Sequence, residues 1–481
     1  MFRYYTIEDK HFKGLLESGK LDEDLDEIIE QFQFLTPFKQ YELVKYIKDK
    51  KVFPSLNKLA ETFGISEEDA RAFLSNPFRE VLIPTVDSGE GKLVRAITVK
   101  GLSAVITNGE HLKESLDIIK EFLGFGFFVF FDELFSGESY MLPVTLSLYV
   151  ENIPGDLLFT GKIDKEGRIY EVNGIPKKRK LAQKYGYRLI PPSRLSRVQD
   201  IKAWLDAERY DVPLFITKTT QNYEGEFNSF LKSLLIKDVE KALENLELFN
   251  GISKDTILMI TGRLEPEEKV WKERVREFYK RIKEIEDKLS GKEVYHLGIN
   301  GASAFAFACG TIYGSYKPFV FYHFQNGRYI PLRVENVRTL KERVKDYKNI
   351  EYKYEEGGES LVVILSLAHH SAEADVKTYT KSLAPSYLVI RHRKAGNIEP
   401  EEMIEISREI ASLIQDIREK KNVKEFHFFF SAPVAICFMV GVAFGYYSPG
   451  YIYNYEKPHG YERVLRLEDI RNIREGKIIE I

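Results

Sequence analysis

The rhythm of hydrophobic and polar positions changes three times along the chain. Up to about residue 80 it is helical. Lys20–Phe34 is acidic and amphipathic, Phe38–Lys51 continues the helical period, and Ser55–Ser75 has the length and central Gly64 of a helix-turn-helix, with Ser66 capping its second helix. Between 80 and 217 short apolar runs alternate with amphipathic ones. Leu93–Val99, Gly124–Phe131, Asp156–Ile163, Arg168–Val172, Arg188–Pro191 and Val212–Thr217 are predicted strands; Gly109–Leu123, Tyr140–Tyr149 and Ile175–Tyr185 are predicted helices. The last region is dominated by uncharged stretches. His427–Tyr455 runs twenty-nine residues without Asp, Glu, Lys or Arg, long enough to span a bilayer. Its inner pattern points elsewhere. An aromatic run (Phe426–Phe430) favours a strand, Ser431–Ala432–Pro433 is a breaker that opens a helix, Val434–Tyr447 is small and apolar, and Tyr451–Tyr455 is a second strand-like run. The pattern predicts strand–turn–helix–strand, buried on all sides. Two membrane helices are the competing reading, and the strand-like flanks and mid-span Pro fit it poorly.

The same unit occurs earlier, shifted by 131 residues without a gap: His296 falls on His427, Phe307 on Phe438, Gly310 on Gly441, Gly314 on Gly445, Tyr316 on Tyr447, Pro318 on Pro449 and Tyr322 on Tyr453. Upstream of each copy sits a charged helix opening Glu-Pro-Glu-Glu, at Glu265–Glu268 and Glu399–Glu402, and upstream again a short apolar strand, Thr256–Thr261 and Leu361–Leu367. Each copy therefore reads β–α–β–α–β, a Rossmann-like half, and the C-terminal part of the chain is a tandem duplication.

Composition narrows the picture without deciding it. A chain of 481 residues holds about three domains, here taken as a helical region 1–80, an α/β domain 81–240 and a duplicated α/β domain 241–481 with halves at about 250–335 and 355–481. A net charge of −3 gives no global pull toward nucleic acid, so a nucleotide ligand must be met by a local site. The second helix of the helix-turn-helix offers Glu67, Glu68 and Asp69 against a single Arg71, the wrong charge for reading DNA, so no DNA partner is expected. Cys309 and Cys437 lie in the apolar helices of the repeat, as core thiols of a reducing compartment, and no metal-ligand cluster stands out. The N-terminus is too polar for a signal peptide, which makes the cytoplasm the expected location.

Candidate chemistry enters with a resemblance. Thr160–Gly161–Lys162–Ile163, Gly167–Arg168, Val172–Asn173–Gly174–Ile175 and Leu189–Ile190–Pro191 match, in order and spacing, the proteolytic domain of Lon. Lon-type peptidases use a Ser–Lys dyad: a Ser hydroxyl at a helix start, and a Lys amine desolvated enough to accept its proton. The resemblance places the nucleophile in Gly137–Glu138–Ser139 and the lysine at Lys178, with Lys177 and Lys180 as neighbours able to take the role and Ser136 as a reserve nucleophile. The residues beside Ser139 are larger than in Lon, which leaves substrate choice open. The spacing from Ser139 to Lys178 is also shorter, as the short loop Val150–Asp156 accounts for. No Walker A motif is present, so no cofactor and no ATP-driven unfolding are expected, and the substrate would be a dedicated, accessible loop.

The duplicated part, with its strand, Ser-Ala-Pro, apolar helix and closing Tyr-x-Tyr-Glu strand, resembles a SAVED domain: two fused CARF-like halves that bind cyclic oligonucleotides. Lon joined to SAVED is similar to the CRISPR-associated Lon–SAVED proteases of type III antiviral systems. That resemblance implies a cyclic oligoadenylate activator, cyclic tetra-adenylate first among them. It also implies ligand-driven self-association and one cleaved toxin-like or anti-sigma-like partner. The residues supply a matching site at the strand ends, where helix N-termini offer N–H groups to phosphate. These are Gly262 and Arg263; Asn300, Gly301 and Ser303; Ser366, His369 and His370; and Ser431, Ala432 and Pro433. Tyr322 or Tyr453 would stack a base, and Ala372–Arg393, taken as an insertion, adds Lys377, Lys381, Arg391 and Arg393. Set against the gated peptidase is a non-catalytic sensor or scaffold carrying a degenerate Lon domain.

Overall fold

The computed structural model describes residues 3–87, 90–314, 317–368, 372–394 and 398–477. It forms two compact units, 1–207 and 208–481. The boundary falls at 207/208, where the sequence reading put one at 240/241, and residues 1–80 belong to the same unit as residues 81–207.

In the N-terminal unit, helices α1 (Asp9–Glu17), α2 (Leu25–Glu30), α3 (Pro37–Lys50), α4 (Leu56–Phe63) and α5 (Glu67–Ser75) precede β1 (Phe78–Asp87) and β2 (Glu90–Leu102). Helix starts follow sequence signals: Thr36 accepts from the Lys39 N–H ahead of Pro37, and Ser66 accepts from the Asp69 N–H. Then come β3 (Ile106–Thr107), α6 (Lys113–Leu123), β4 (Gly126–Phe131), α7 (Met141–Tyr149), β5 (Leu157–Phe159), β6 (Lys162–Ile163), β7 (Ile169–Tyr170), α8 (Ile175–Lys184), β8 (Arg188–Ile190) and α9 (Val198–Leu205). The main sheet has the order β1-β2-β4-β3, and short pairs β5-β8 and β6-β7 stand beside it. The N-terminal helices lie on this sheet: Phe12, Ile28, Tyr41 and Phe73 share one core with Ile97, Val99, Phe128 and Phe130. Phe73 meets Phe128 at 4.5 Å between ring centroids. The helix-turn-helix is therefore part of a core, with its second helix acidic.

The C-terminal unit opens with β9 (Tyr210–Thr217), followed by α10 (Tyr223–Lys232), α11 (Val239–Asn250), α12 (Lys254–Ile257), β10 (Leu258–Ile260), α13 (Glu268–Leu289), β11 (Glu293–Asn300), α14 (Ser303–Tyr313), β12 (Phe319–Gln325) and β13 (Arg328–Val334). The second half carries β14 (Ile350–Glu355), β15 (Ser360–Ser366), α15 (Glu373–Thr380), β16 (Ser386–His392), α16 (Pro400–Lys420), β17 (Glu425–Ser431), α17 (Val434–Phe444), β18 (Gly450–Glu456), β19 (Gly460–Arg466) and α18 (Leu467–Arg474). The sheet orders are β10-β9-β11-β12-β13 and β14-β16-β15-β17-β18-β19. In each, four neighbouring strands run parallel, and an antiparallel strand closes the far edge.

This topology corrects two sequence assignments. The strand next to β11 in the first half, the counterpart of β15, is β9 and not the Thr256–Thr261 run, because β9 pairs with β11 along its whole length from Tyr210↔Glu293 to Thr217↔Asn300. Pairing across such a separation leaves no local trace in sequence. The stretch Ala372–Arg393 is likewise no insertion: α15 and β16 repeat the helix-then-strand step that α10–α12 and β10 make in the first half.

The uncharged stretches became β11–α14–β12 and β17–α17–β18, as predicted. No described helix is long and apolar enough to cross a membrane. The two apolar helices bury their surface against each other, which is why neither shows a polar face. They cross at two glycines. A Cβ on Gly310 would lie 2.0 Å from the Phe438 carbonyl oxygen, and one on Gly441 would lie 2.2 Å from that of Phe307. Since Phe438 is the repeat partner of Phe307, the contact is reciprocal, and it pins the two halves together around a pseudo-twofold axis.

Candidate functional site

Two sites emerge, one in each unit. In the N-terminal unit Ser139 sits two residues before α7 and is buried, at 7% exposed. The Gly161 N–H donates to the Ser139 carbonyl oxygen at 3.2 Å, and the Leu142 N–H donates to the Gly161 carbonyl oxygen at 3.0 Å. Tyr140 anchors the turn from inside: its hydroxyl pairs with Ser115 Oγ at 2.5 Å and its ring packs edge-on to Phe131 and Phe135. Lys178 comes from the first turn of α8 and donates through Nζ to Thr160 Oγ1 at 3.0 Å. Both candidate dyad residues thus abut the same dipeptide, Thr160–Gly161, a positioning role the sequence reading had not assigned to Thr160.

Of the three candidate lysines, Lys178 is 2% exposed, whereas Lys177 and Lys180 are exposed, as is Ser136. Burial without a carboxylate partner disfavours the ammonium and lowers the Lys178 pKa to about 8. Lys48 shows that such a shift does not by itself mark a catalyst. Burial lowers it to about 8 too, yet its ammonium donates to the carbonyl oxygens of Phe73, Leu74 and Asn76, where it caps the end of α5. Lys48 spends its protons on backbone, and Lys178 meets one hydroxyl.

In the C-terminal unit a cleft of ≈ 900 Å³ opens beyond the carboxyl ends of β9, β10 and β11. Its walls are Lys218–Gln221, Thr261–Leu264, Asn300–Phe305 and, from the second half, Tyr453–Lys457. Among the described residues no side chain caps α14, so the N–H groups of its first turn, at Ser303, Ala304 and Phe305, line the cleft ready for an anion. Lys218, Arg263 and Lys457 add positive charge. Arg263, largely exposed, pairs across the cleft with Glu456 through Nε at 2.7 Å. A second cavity of ≈ 440 Å³ lies behind, sharing Asn300 and Gly301 with the first.

Of the predicted ligand residues, Gly262, Arg263, Asn300, Gly301 and Ser303 meet in this cleft. Ser431, Ala432 and Pro433 stand next to it. Ser303 Oγ donates to the Ala432 carbonyl oxygen at 2.6 Å, and the Ser431 carbonyl oxygen takes the Leu367 and Ala368 N–H groups. Ser366 is buried opposite Ser431 in the β15–β17 pairing.

Lys377, Arg391 and Arg393 do not reach the cleft. Lys377 pairs with Glu355 and Glu373, Arg391 with Glu373, and Arg393 donates to the Tyr347 and Ile350 carbonyl oxygens. His369, His370 and Tyr316 lie outside the described residues.

Neither predicted stacking tyrosine is free to stack. Tyr322 is buried, bonded to His296 Nδ1 at 2.8 Å, and Tyr453 is bonded to His427 Nδ1 at 2.9 Å and stacked on Phe429. Tyr455, 46% exposed on the cleft wall, is the aromatic that offers a face. It was missed because Tyr451, Tyr453 and Tyr455 alternate onto one face of β18, and only its place at the strand end leaves Tyr455 exposed.

Comparison with known proteins places the C-terminal unit. No curated protein matches the chain. The Acinetobacter baumannii Cap4 SAVED/CARF-domain containing receptor, solved with the cyclic trinucleotide 3'3'3'-cAAA, is similar at 10% identity and a TM-score of 0.37, over 92% of this chain and 77% of that one. The same receptor with 2'3'3'-cAAA gives the same values. A further structure of the receptor gives a TM-score of 0.35 over 80% of this chain and 94% of that one. Residues 278–467 match the model of the family described as SMODS-associated and fused to various effectors sensor domain. The matched segment runs from within α13 to the start of α18.

Proposed function

We propose that the chain is a serine peptidase controlled by a cyclic oligonucleotide. The cleft of the C-terminal unit takes a cyclic oligoadenylate, with cyclic tetra-adenylate as the first ligand to try. Ligand-bound copies assemble, and Ser139 with Lys178 then cuts a dedicated protein partner. The observation that carries the sensor half is the union, in one cleft beside a SAVED domain, of an uncapped helix N-terminus with Lys218, Arg263 and Lys457. Phosphodiesters need that combination of N–H donors and cations.

The peptidase half rests on the Lon-like motifs and on Lys178. Its amine, held near pKa 8 by burial, takes the Ser139 hydroxyl proton as Oγ attacks the scissile carbonyl carbon. It returns the proton to the leaving amine, and water then releases the acyl group. Thr160 holds the amine in place.

Only neutral Lys178 works as the base. With a pKa of about 8 roughly a tenth of it is neutral at pH 7, and most is neutral at pH 9. The test is to incubate the purified protein with cyclic tetra-adenylate in a cell lysate and map new protein N-termini by mass spectrometry. New termini are expected with the wild type and ligand together, at a rate rising between pH 7 and 9, and neither without ligand nor with Ser139→Ala. The same termini from Ser139→Ala would leave a non-catalytic sensor or scaffold.

A further inference from the structure

Between the cleft and the cavity behind it lies a chain of polar groups whose direction is fixed at every link. The Thr219 N–H donates to Thr217 Oγ1 at 3.0 Å, so the Thr217 hydroxyl proton must point onward, and it donates to Glu226 Oε2 at 2.7 Å. Thr219 Oγ1 donates to Glu226 Oε1 at 2.8 Å. Burial by itself would raise the Glu226 pKa, but these hydrogen bonds and that of Asn300 outweigh it and hold the carboxyl below its usual range, so it is ionised and accepts only. Asn300 Nδ2 donates to Glu226 Oε2 at 2.9 Å. The amide cannot turn round, because its Oδ1 would then face a carboxylate. Its main chain is held as well, since the Asn300 carbonyl oxygen accepts from the Lys218 N–H at 2.9 Å. Asn300 therefore carries a side-chain acceptor of fixed orientation that meets no donor among the described residues, on a residue lining both cavities. Beside it Gly301 leaves open space: a Cβ there would meet only Ile299 Cγ2, at 3.7 Å. The repeat partner of Asn300 is Ser431, so the second half lacks this acceptor.

We propose that Asn300 reads the six-position of a purine base in the cleft, accepting from the exocyclic amine of adenine and rejecting the carbonyl of guanine or hypoxanthine, with Glu226 as the positioning residue that fixes its polarity. The inference rests on the cyclic-oligonucleotide reading of the cleft. An adenine amine supplies the missing donor. A six-carbonyl sets two acceptors against each other and leaves both unpaired in a desolvated site.

The test is calorimetric titration of the full chain with whichever of cyclic tri-, tetra- and hexa-adenylate binds tightest, and with the inosinate ring of the same size, which differs only at the six-position and the proton at N1. The wild type is expected to bind the inosinate ring roughly ten- to hundredfold more weakly. Asn300→Ala is expected to bring the two affinities close together while the adenylate ring still binds through its phosphates. Glu226→Met is expected to do the same, because without the carboxylate nothing fixes which end of the Asn300 amide faces the base. This second variant keeps the side-chain volume if Asn300→Ala melts early. Equal wild-type affinity for the two rings, or discrimination that survives both substitutions, overturns the inference and leaves the cleft assignment standing. No binding of any adenylate ring overturns both.

Discussion

The two halves of the C-terminal unit share a frame and differ in chemistry. Each places a histidine on its central strand against a tyrosine hydroxyl on the next strand, His296 with Tyr322 and His427 with Tyr453. In the first half His296 Nε2 also meets Asp211 Oδ1 at 3.0 Å, and the Tyr322 hydroxyl accepts from the Leu235 N–H. In the second half His427 Nε2 is buried and has no hydrogen-bond partner among the described residues. The strand ends diverge further. The first half ends β11 on Asn300, held by Glu226; the second ends β17 on Ser431, whose carbonyl oxygen accepts from the Leu367 and Ala368 N–H groups while that of Ala432 accepts from Ser303, and among the described residues neither α14 nor α17 carries a side-chain cap. Duplication supplied the architecture, and departures from it mark where a ligand is met. A residue kept in both copies, such as His296/His427, is structural until shown otherwise.

The comparison is easiest to break at the helix crossing. Gly310→Ala and Gly441→Ala should each destabilise the unit by roughly 1–3 kcal/mol in urea unfolding, because either methyl group drives the helices apart. The reciprocal contact predicts similar losses, and a loss at one glycine alone would deny the pseudo-twofold packing.

The next test sets the basic residues of the two halves against each other. Arg263→Ala should weaken cyclic oligoadenylate binding about tenfold, since it removes a cation and leaves the Glu456 carboxylate facing phosphate. Arg393→Ala should leave binding within about twofold, because that guanidinium is engaged with backbone carbonyls.

A further difference between the halves is a pH dependence. Burial lowers the His427 pKa to about 4, below the usual ~6.5, so between those values the unfolded chain holds a proton that the folded one refuses. Stability from this group is complete above pH 6.5 and is lost as pH falls toward 4. The melting temperature should drop across that window, and less so in His427→Asn.

Much of this was legible in sequence because duplication converts one ambiguous pattern into two matching ones. The gap-free repeat of apolar helix and flanking aromatic strands separated sheet from membrane span, and the spacing of Thr160–Gly161, Gly174–Ile175 and Lys178 pointed to a lysine that the fold buries. What escaped was long-range. Tyr210–Thr217 belongs to the C-terminal sheet through pairing with residues some 80 positions away. The basic run Lys377–Arg393 looked like a phosphate site until its acidic partners Glu355 and Glu373 were brought alongside. Charge counted along a chain says nothing of where the compensating charge will fold.

The first-half cleft is the proposed seat of a cyclic oligoadenylate. The most direct measurement is calorimetric titration of the wild type and of Ser303→Glu, which puts a carboxylate at the open start of α14, with cyclic tri-, tetra- and hexa-adenylate. Tight binding of one ring by the wild type is expected, with a loss of roughly a hundredfold in Ser303→Glu. Binding of no ring, or binding that Ser303→Glu leaves unchanged, would contradict that assignment.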